Sequence, residues 1–146
     1  MTDSDSVQGL DQINKNLEAI AKRVGINIAQ AAFAGGQMVR AEAIDSIQSV
    51  SPGKEVTRTR AGGNTYEHIA AGPGEAPNTD TGRLVNSIQV EVKQNDVYVG
   101  SSLGYAGDLE FGTSKMAARP WLNPALESNK DKIKKLMKEA VSGALI

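Results

Sequence analysis

There is no cysteine among the 146 residues, so disulfides, thiolate nucleophiles and thiolate metal sites are excluded. There is one histidine, His68, which is too few for a histidine-based metal cluster. Only 4% of residues are aromatic, so a core must rely on Ile, Leu, Val and Ala. No apolar run approaches the roughly 20 residues that cross a bilayer. The opening Met1-Thr2-Asp3-Ser4-Asp5-Ser6 is acidic and polar, without the basic and apolar regions of a signal peptide. The expectation is a soluble, intracellular chain with no membrane partner. Neither sign of charge dominates: 16 basic residues face 17 acidic ones, for a formal charge of −1. That balance gives no general electrostatic case for nucleic acid as a partner. With 40% hydrophobic and 23% charged residues, the chain reads as an ordinary globular domain spanning 1–146.

Catalytic motifs are missing too. No Gly-x-Ser-x-Gly elbow exists to hold a nucleophile near His68, which lies in a polar stretch and reads as a solvated side chain. Gly72-Pro73-Gly74-Glu75-Ala76-Pro77 is glycine-rich, but no Gly-Lys-Ser/Thr follows it. Its prolines and Glu75 remove donors or repel phosphate, so it reads as a stiff connector. Asp108 and Glu110 are two residues apart, and on a helix that spacing points them away from each other. Glu110, between Leu109 and Phe111, reads as the partner of Arg119 in a buried or interfacial ion pair. No enzymatic activity, catalytic residue, cofactor or metal is expected.

Periodicity supplies the elements. Leu10, Ile13, Leu17, Ile20 and Val24 make one stripe of an amphipathic helix, which Gly25 ends or bends. Ile28, Ala32, Val39, Ala43, Ile44 and Ile47 make a second. Gly35-Gly36 interrupts it at about 1 kcal/mol per glycine relative to alanine, marking a kink or a close helix contact. Ser51-Pro52-Gly53 stops the helix. Residues 1–8 read as a disordered tail and 54–79 as an extended loop. Within that loop Val56–Arg60 and Thr65–Ala70 can pair around Ala61-Gly62-Gly63-Asn64. Asp80-Thr81-Gly82 leads into a short helical turn over Arg83–Ile88, with Asp80 or Thr81 as its cap.

Ile88, Val90 and Val92, then Val97 and Val99 beyond the turn Gln94-Asn95-Asp96, predict a hairpin with one buried face. A short helix follows over Tyr105–Phe111, closed by Gly112. Pro120 and Pro124 bracket the start of a last helix with apolar Leu122, Leu126, Ile133, Leu136, Met137, Ala140 and Val141. Lys130, Lys132, Lys134, Lys135 and Lys138 lie opposite. The fold class is α+β. N-terminal helices and a long C-terminal helix pack on a small antiparallel sheet, with a long extended loop or hairpin.

Three segments carry a family likeness. They are Pro73 to Ile88; the set Val97-Tyr98-Val99-Gly100, Tyr105-Ala106 and Leu109-Glu110-Phe111-Gly112-Thr113; and Ala118-Arg119-Pro120-Trp121-Leu122-Asn123-Pro124-Ala125-Leu126. In this order and spacing they resemble the "gene product ten" family of siphophage Hong Kong ninety-seven, the neck or tail-completion proteins. The likeness spans about Gly72 to Leu126, and the N-terminal part agrees in type only. Trp121 stands where phenylalanine is expected, and Lys54 to Ala71 does not align. The resemblance implies a small α+β virion structural protein of a siphophage or prophage, without enzymatic activity or cofactor. It would form a homo-oligomeric ring at the head–tail junction, between head-closure or connector proteins and the tail tube or tail terminator. DNA would pass transiently through its lumen. Before assembly it would sit in the host cytoplasm.

The structural and assembly residues expected on this basis are Asp80, Thr81, Gly82, Leu84, Tyr105, Glu110, Phe111, Gly112, Thr113, Arg119, Pro120 and Trp121. Thr81-Gly82 would turn sharply, and Tyr105, Leu109 and Phe111 would pack the short helix on the second hairpin. Pro120 would direct Trp121 and Leu122 into the core or a neighbour's surface. Lys54, Arg58 and Arg60 are candidates for the DNA-facing lumen. The alternative function is a small DNA-binding module using the lysines of the last helix.

Overall fold

In the computed structural model, the backbone is described for residues 3–146 and the side chains from Gly9 onward. Of the expected tail over residues 1–8, residues 1 and 2 lie outside the described residues, and the first helix starts at Asp3. The elements run α1 (Asp3–Gln48), β1 (Lys54–Thr59), β2 (Thr65–Ala70), α2 (Arg83–Ser87), β3 (Ile88–Lys93), β4 (Asp96–Ser101), α3 (Gly104–Phe111) and α4 (Asn123–Leu145). The mixture is α+β, as expected. The strands form two separate antiparallel pairs, β1–β2 and β3–β4, not one sheet. No helix among the described residues is long and apolar enough to cross a membrane.

Both N-terminal stripes lie on one continuous helix of 46 residues, about 69 Å long at 1.5 Å per residue. Gly25 neither ends nor breaks it. A side chain there would meet nothing within 4 Å, so this glycine serves no close contact. Its cost of about 1 kcal/mol is small in a helix whose C-terminal half is packed. Gly35 and Gly36 resolve in favour of the close contact. A Cβ on Gly35 would lie 3.2 Å from Ile133 of α4. One on Gly36 would lie 2.7 Å from Val97 and 2.9 Å from Val90. The adjacent glycines therefore lower α1 towards α4 on one side and towards the β3–β4 hairpin on the other.

α4 runs antiparallel along α1, with Asn27 Nδ2 donating to the Ala140 carbonyl at 3.2 Å. Five residues later α4 ends. The N-terminal reach of α1 extends past it, and Leu10, Ile13 and Leu17 are 59%, 55% and 58% exposed. The core lies at the other end, around Val39, Ala43, Ile47, Leu84, Ile88, Ala106, Trp121 and Ala125. Val99 of β4 packs against it, and Arg40 Nε donates to the Ile88 carbonyl at 2.8 Å, tying β3 to α1. The β1–β2 hairpin pairs Lys54 with Ala70 through to Thr59 with Thr65. Its turn closes with the Arg60 N–H donating to the Asn64 carbonyl at 2.8 Å.

Candidate functional site

Asn78 anchors the base of the β1–β2 hairpin. Its Oδ1 accepts from the Ser51 N–H at 2.8 Å, and its Nδ2 donates to the carbonyls of Ile69 (2.8 Å) and Ser51 (3.2 Å). The Thr79 N–H donates to the Ile47 carbonyl at 3.2 Å. One asparagine thus joins the end of α1, the end of β2 and the returning loop. Asn78 was not among the expected site residues. A polar side chain tying three backbone segments has no periodic signature in a sequence, and only its place in Pro77-Asn78-Thr79 hints at a turn.

A cleft of about 400 Å³ opens beneath this hairpin. Ile47, Ala71 and Leu84 contribute buried apolar surface to it. Arg58 and His68 line it from the hairpin, Asp80 to Arg83 from the loop and α2, Tyr105 and Leu109 from α3, and Arg119 from the segment before α4. Seven of the expected residues therefore meet here: Arg58, Asp80, Thr81, Gly82, Leu84, Tyr105 and Arg119.

Asp80 or Thr81 was expected to cap α2. The N-cap position belongs instead to Gly82, at φ 74°, and no side chain caps the helix. The left-handed backbone there suits glycine. Asp80 turns to the hairpin. Its Oδ2 receives Arg58 at 3.0 Å, and the Tyr66 hydroxyl donates to its Oδ1 at 2.7 Å. That hydrogen bond, with some desolvation and the carboxylate's charge, raises the Tyr66 phenol above its ordinary pKa. Arg60 lies over the Tyr66 ring, 4.9 Å from its centre. Of the three residues read as lumen-facing, Arg58 and Arg60 thus have partners within the chain, while Lys54 is exposed at the hairpin base.

The expected Glu110–Arg119 ion pair is absent. Both Glu110 oxygens are taken by backbone donors: the N–H groups of Trp121 (2.8 Å) and Leu122 (2.9 Å) meet Oε2, and that of Asn123 (2.8 Å) meets Oε1. A buried carboxylate from α3 thus serves the unsatisfied donors at the start of α4, where the helix dipole also favours negative charge. The Trp121 indole N–H donates to the Ala106 carbonyl at 3.2 Å, which locks the same junction. Trp121 is a core residue.

Arg119 makes a backbone contact, its N–H donating to the Leu109 carbonyl at 2.7 Å. Its side-chain Nε–H is shielded from solvent and has no hydrogen-bond partner among the described residues.

Phe111 does not pack on the second hairpin: it is 82% exposed, while Ala106 and Glu110 are the buried residues of α3. Gly112 follows at φ 76°, and a Cβ there would lie 2.8 Å from the Ala118 backbone nitrogen. Thr113 pairs with Met116 across the tight turn that follows. His68 is half-buried on β2 at the cleft wall, not solvated in a loop. Among the described residues, no group of three or more His, Asp or Glu side chains is arranged to hold a metal ion.

Residues 11–112 match the HK97-gp10-like family, described as a bacteriophage HK97-gp10 tail-component. The matched span takes in most of α1, both hairpins and α3, and stops before the Glu110-capped start of α4. It includes Lys54 to Ala71, which the sequence likeness alone did not align. No curated protein and no solved structure matches the chain. The match covers well over half of the 146 residues, and the chain belongs to the HK97-gp10-like family of bacteriophage tail components.

Proposed function

We propose that this chain is a structural subunit of the head–tail junction of a long-tailed phage, built as a ring between the head connector and the tail tube, with DNA passing through the lumen. Family membership over residues 11–112 is the observation that carries this reading. The geometry supports it in two places. Leu10, Ile13 and Leu17 present an apolar stripe beyond the end of α4, and β1–β2 stands as a two-stranded hairpin with both edges open. A hairpin of that kind is marginal alone in water, and open edges and bare apolar stripes are surfaces that neighbouring subunits cover. Electron microscopy of particles made without the protein tests the reading. Full heads and separate tails are expected, and normally joined virions would overturn it.

The alternative, DNA binding by the basic face of α4, is less favoured. Lys130, Lys134 and Lys135 lie 3.5–4.0 Å from Glu127, Asp131 and Glu139 on the same helix, which dilutes the cationic stripe.

A further inference from the structure

We propose that the cleft beneath the β1–β2 hairpin is a socket for one carboxylate, the side chain of a glutamate or aspartate on a neighbouring protein. The identity of that neighbour as a virion protein rests on the function proposed above; the socket does not. Three arginines line the cleft, Arg58, Arg83 and Arg119, against a single acid, Asp80. Counting only these arginines and Asp80, the lining carries a surplus of two positive charges. Asp80 is already engaged by Arg58 and Tyr66, so it is not free to neutralise the others. Arg83 and Arg119 form no ion pair among the described residues.

Arg119 is the decisive member. Its Nε–H is withdrawn from water and unpartnered, an unfavourable state for a charged group, which an anion beside the guanidinium would offset through its charge. Shielded as it is, Nε cannot itself meet an incoming oxygen; the two terminal N–H groups of the guanidinium, which lie at the cleft, offer parallel donors that match the two oxygens of a carboxylate. The rest of the cleft suits an acidic side chain: Leu84 and Leu109 supply apolar surface for its methylenes. The volume, about 400 Å³, holds a few side chains.

The test uses the full-length protein and the Arg119 Nε–Hε resonance in a ¹H–¹⁵N spectrum at constant ionic strength. The probes are N-acetylglutamate amide, as a surrogate for a glutamate residue, and inorganic phosphate in a separate titration. The expected result is a saturable shift with the glutamate surrogate. Apparent affinity should fall at least tenfold in Arg83→Gln, an exposed substitution that leaves the core untouched. Arg119→Lys, which keeps the charge and loses the fork, should weaken binding as strongly, as read from the resonances of Tyr105 and Leu109. Saturation by phosphate without the surrogate would overturn the carboxylate assignment. A linear response to both, or binding unchanged in both variants, would overturn the socket itself. Failure of the junction reading in microscopy would leave these titrations as they are.

Discussion

The two hairpins are built to the same plan and meet opposite fates. Each has two six-residue antiparallel strands joined by a short turn. In β3–β4 the residues on one face are Ile88, Val90, Val92, Val97 and Val99, and most of that face meets α1 where Gly36 leaves room for it. In β1–β2 the corresponding positions alternate Val56 and Arg58 with Tyr66 and His68, and neither face is apolar enough to make a core. The first hairpin is held instead by polar contacts at its base and flank, through Asn78 and Asp80. Two hairpins of equal strand length thus divide the labour, one stabilising the subunit and the other roofing a charged cleft. What separates them is a handful of β-branched side chains and one glycine on a distant helix.

The largest test of that contrast is a paired substitution. Gly36→Leu, which drives a side chain into Val97 and Val90, should cost about 3 kcal/mol in urea unfolding. Gly62→Leu, in the open turn of β1–β2, should change stability by less than about 0.5 kcal/mol. Equal costs would dissolve the distinction. Next, Glu110→Gln removes one of two charged oxygens that serve three backbone donors. It should destabilise by about 2 kcal/mol and loosen the start of α4 in hydrogen exchange, with β1–β2 unaffected. Third, Val99→Ala should cost about 1 kcal/mol, whereas Ile69→Ala, at a position 40% exposed, should cost less than half of that.

The smallest effect belongs to Asp80→Asn. Its pair with Arg58 is half in water, so global stability should fall by less than about 1 kcal/mol. The signature lies in the Tyr66 phenol, whose pKa should drop back towards its ordinary value in a spectrophotometric titration. Because folding raises that pKa, the Tyr66–Asp80 link contributes fully below the ordinary tyrosine pKa and is lost as pH rises through the raised value. The wild-type hairpin should therefore loosen in alkaline solution, and the variant should lack that dependence.

Short-range pattern was legible in the sequence, and long-range partnership was not. The valine alternation located β3–β4, and Ser51-Pro52-Gly53 marked the end of α1. Gly25 misled because a glycine's cost is local, while the helix around it is held by packing that periodicity does not display. Glu110 misled for a different reason. A sequence shows side chains, so Arg119 looked like its partner, whereas the real partners are amide groups that every residue carries. Phe111 shows the same limit, an apolar residue next to a buried one but on the outer face of α3. The cleft gathers Arg58, Asp80 and Arg119 from three segments, and no spacing in the chain announces that meeting.

The unbroken course of α1 carries a consequence in angle. Each residue of an α-helix turns the chain by about 100°, so the direction faced by Leu10, Ile13 and Leu17 is fixed in phase with Val39, Ala43 and Ile47. Inserting one residue beside Gly25 would leave the buried end of the molecule as it is, yet swing that exposed stripe by more than a quarter of a turn. Deleting a full heptad would shorten the rod by about 10 Å and restore the bearing to within about 20°. The helix acts as a keyed shaft, and the heading of its free end is set by a residue count.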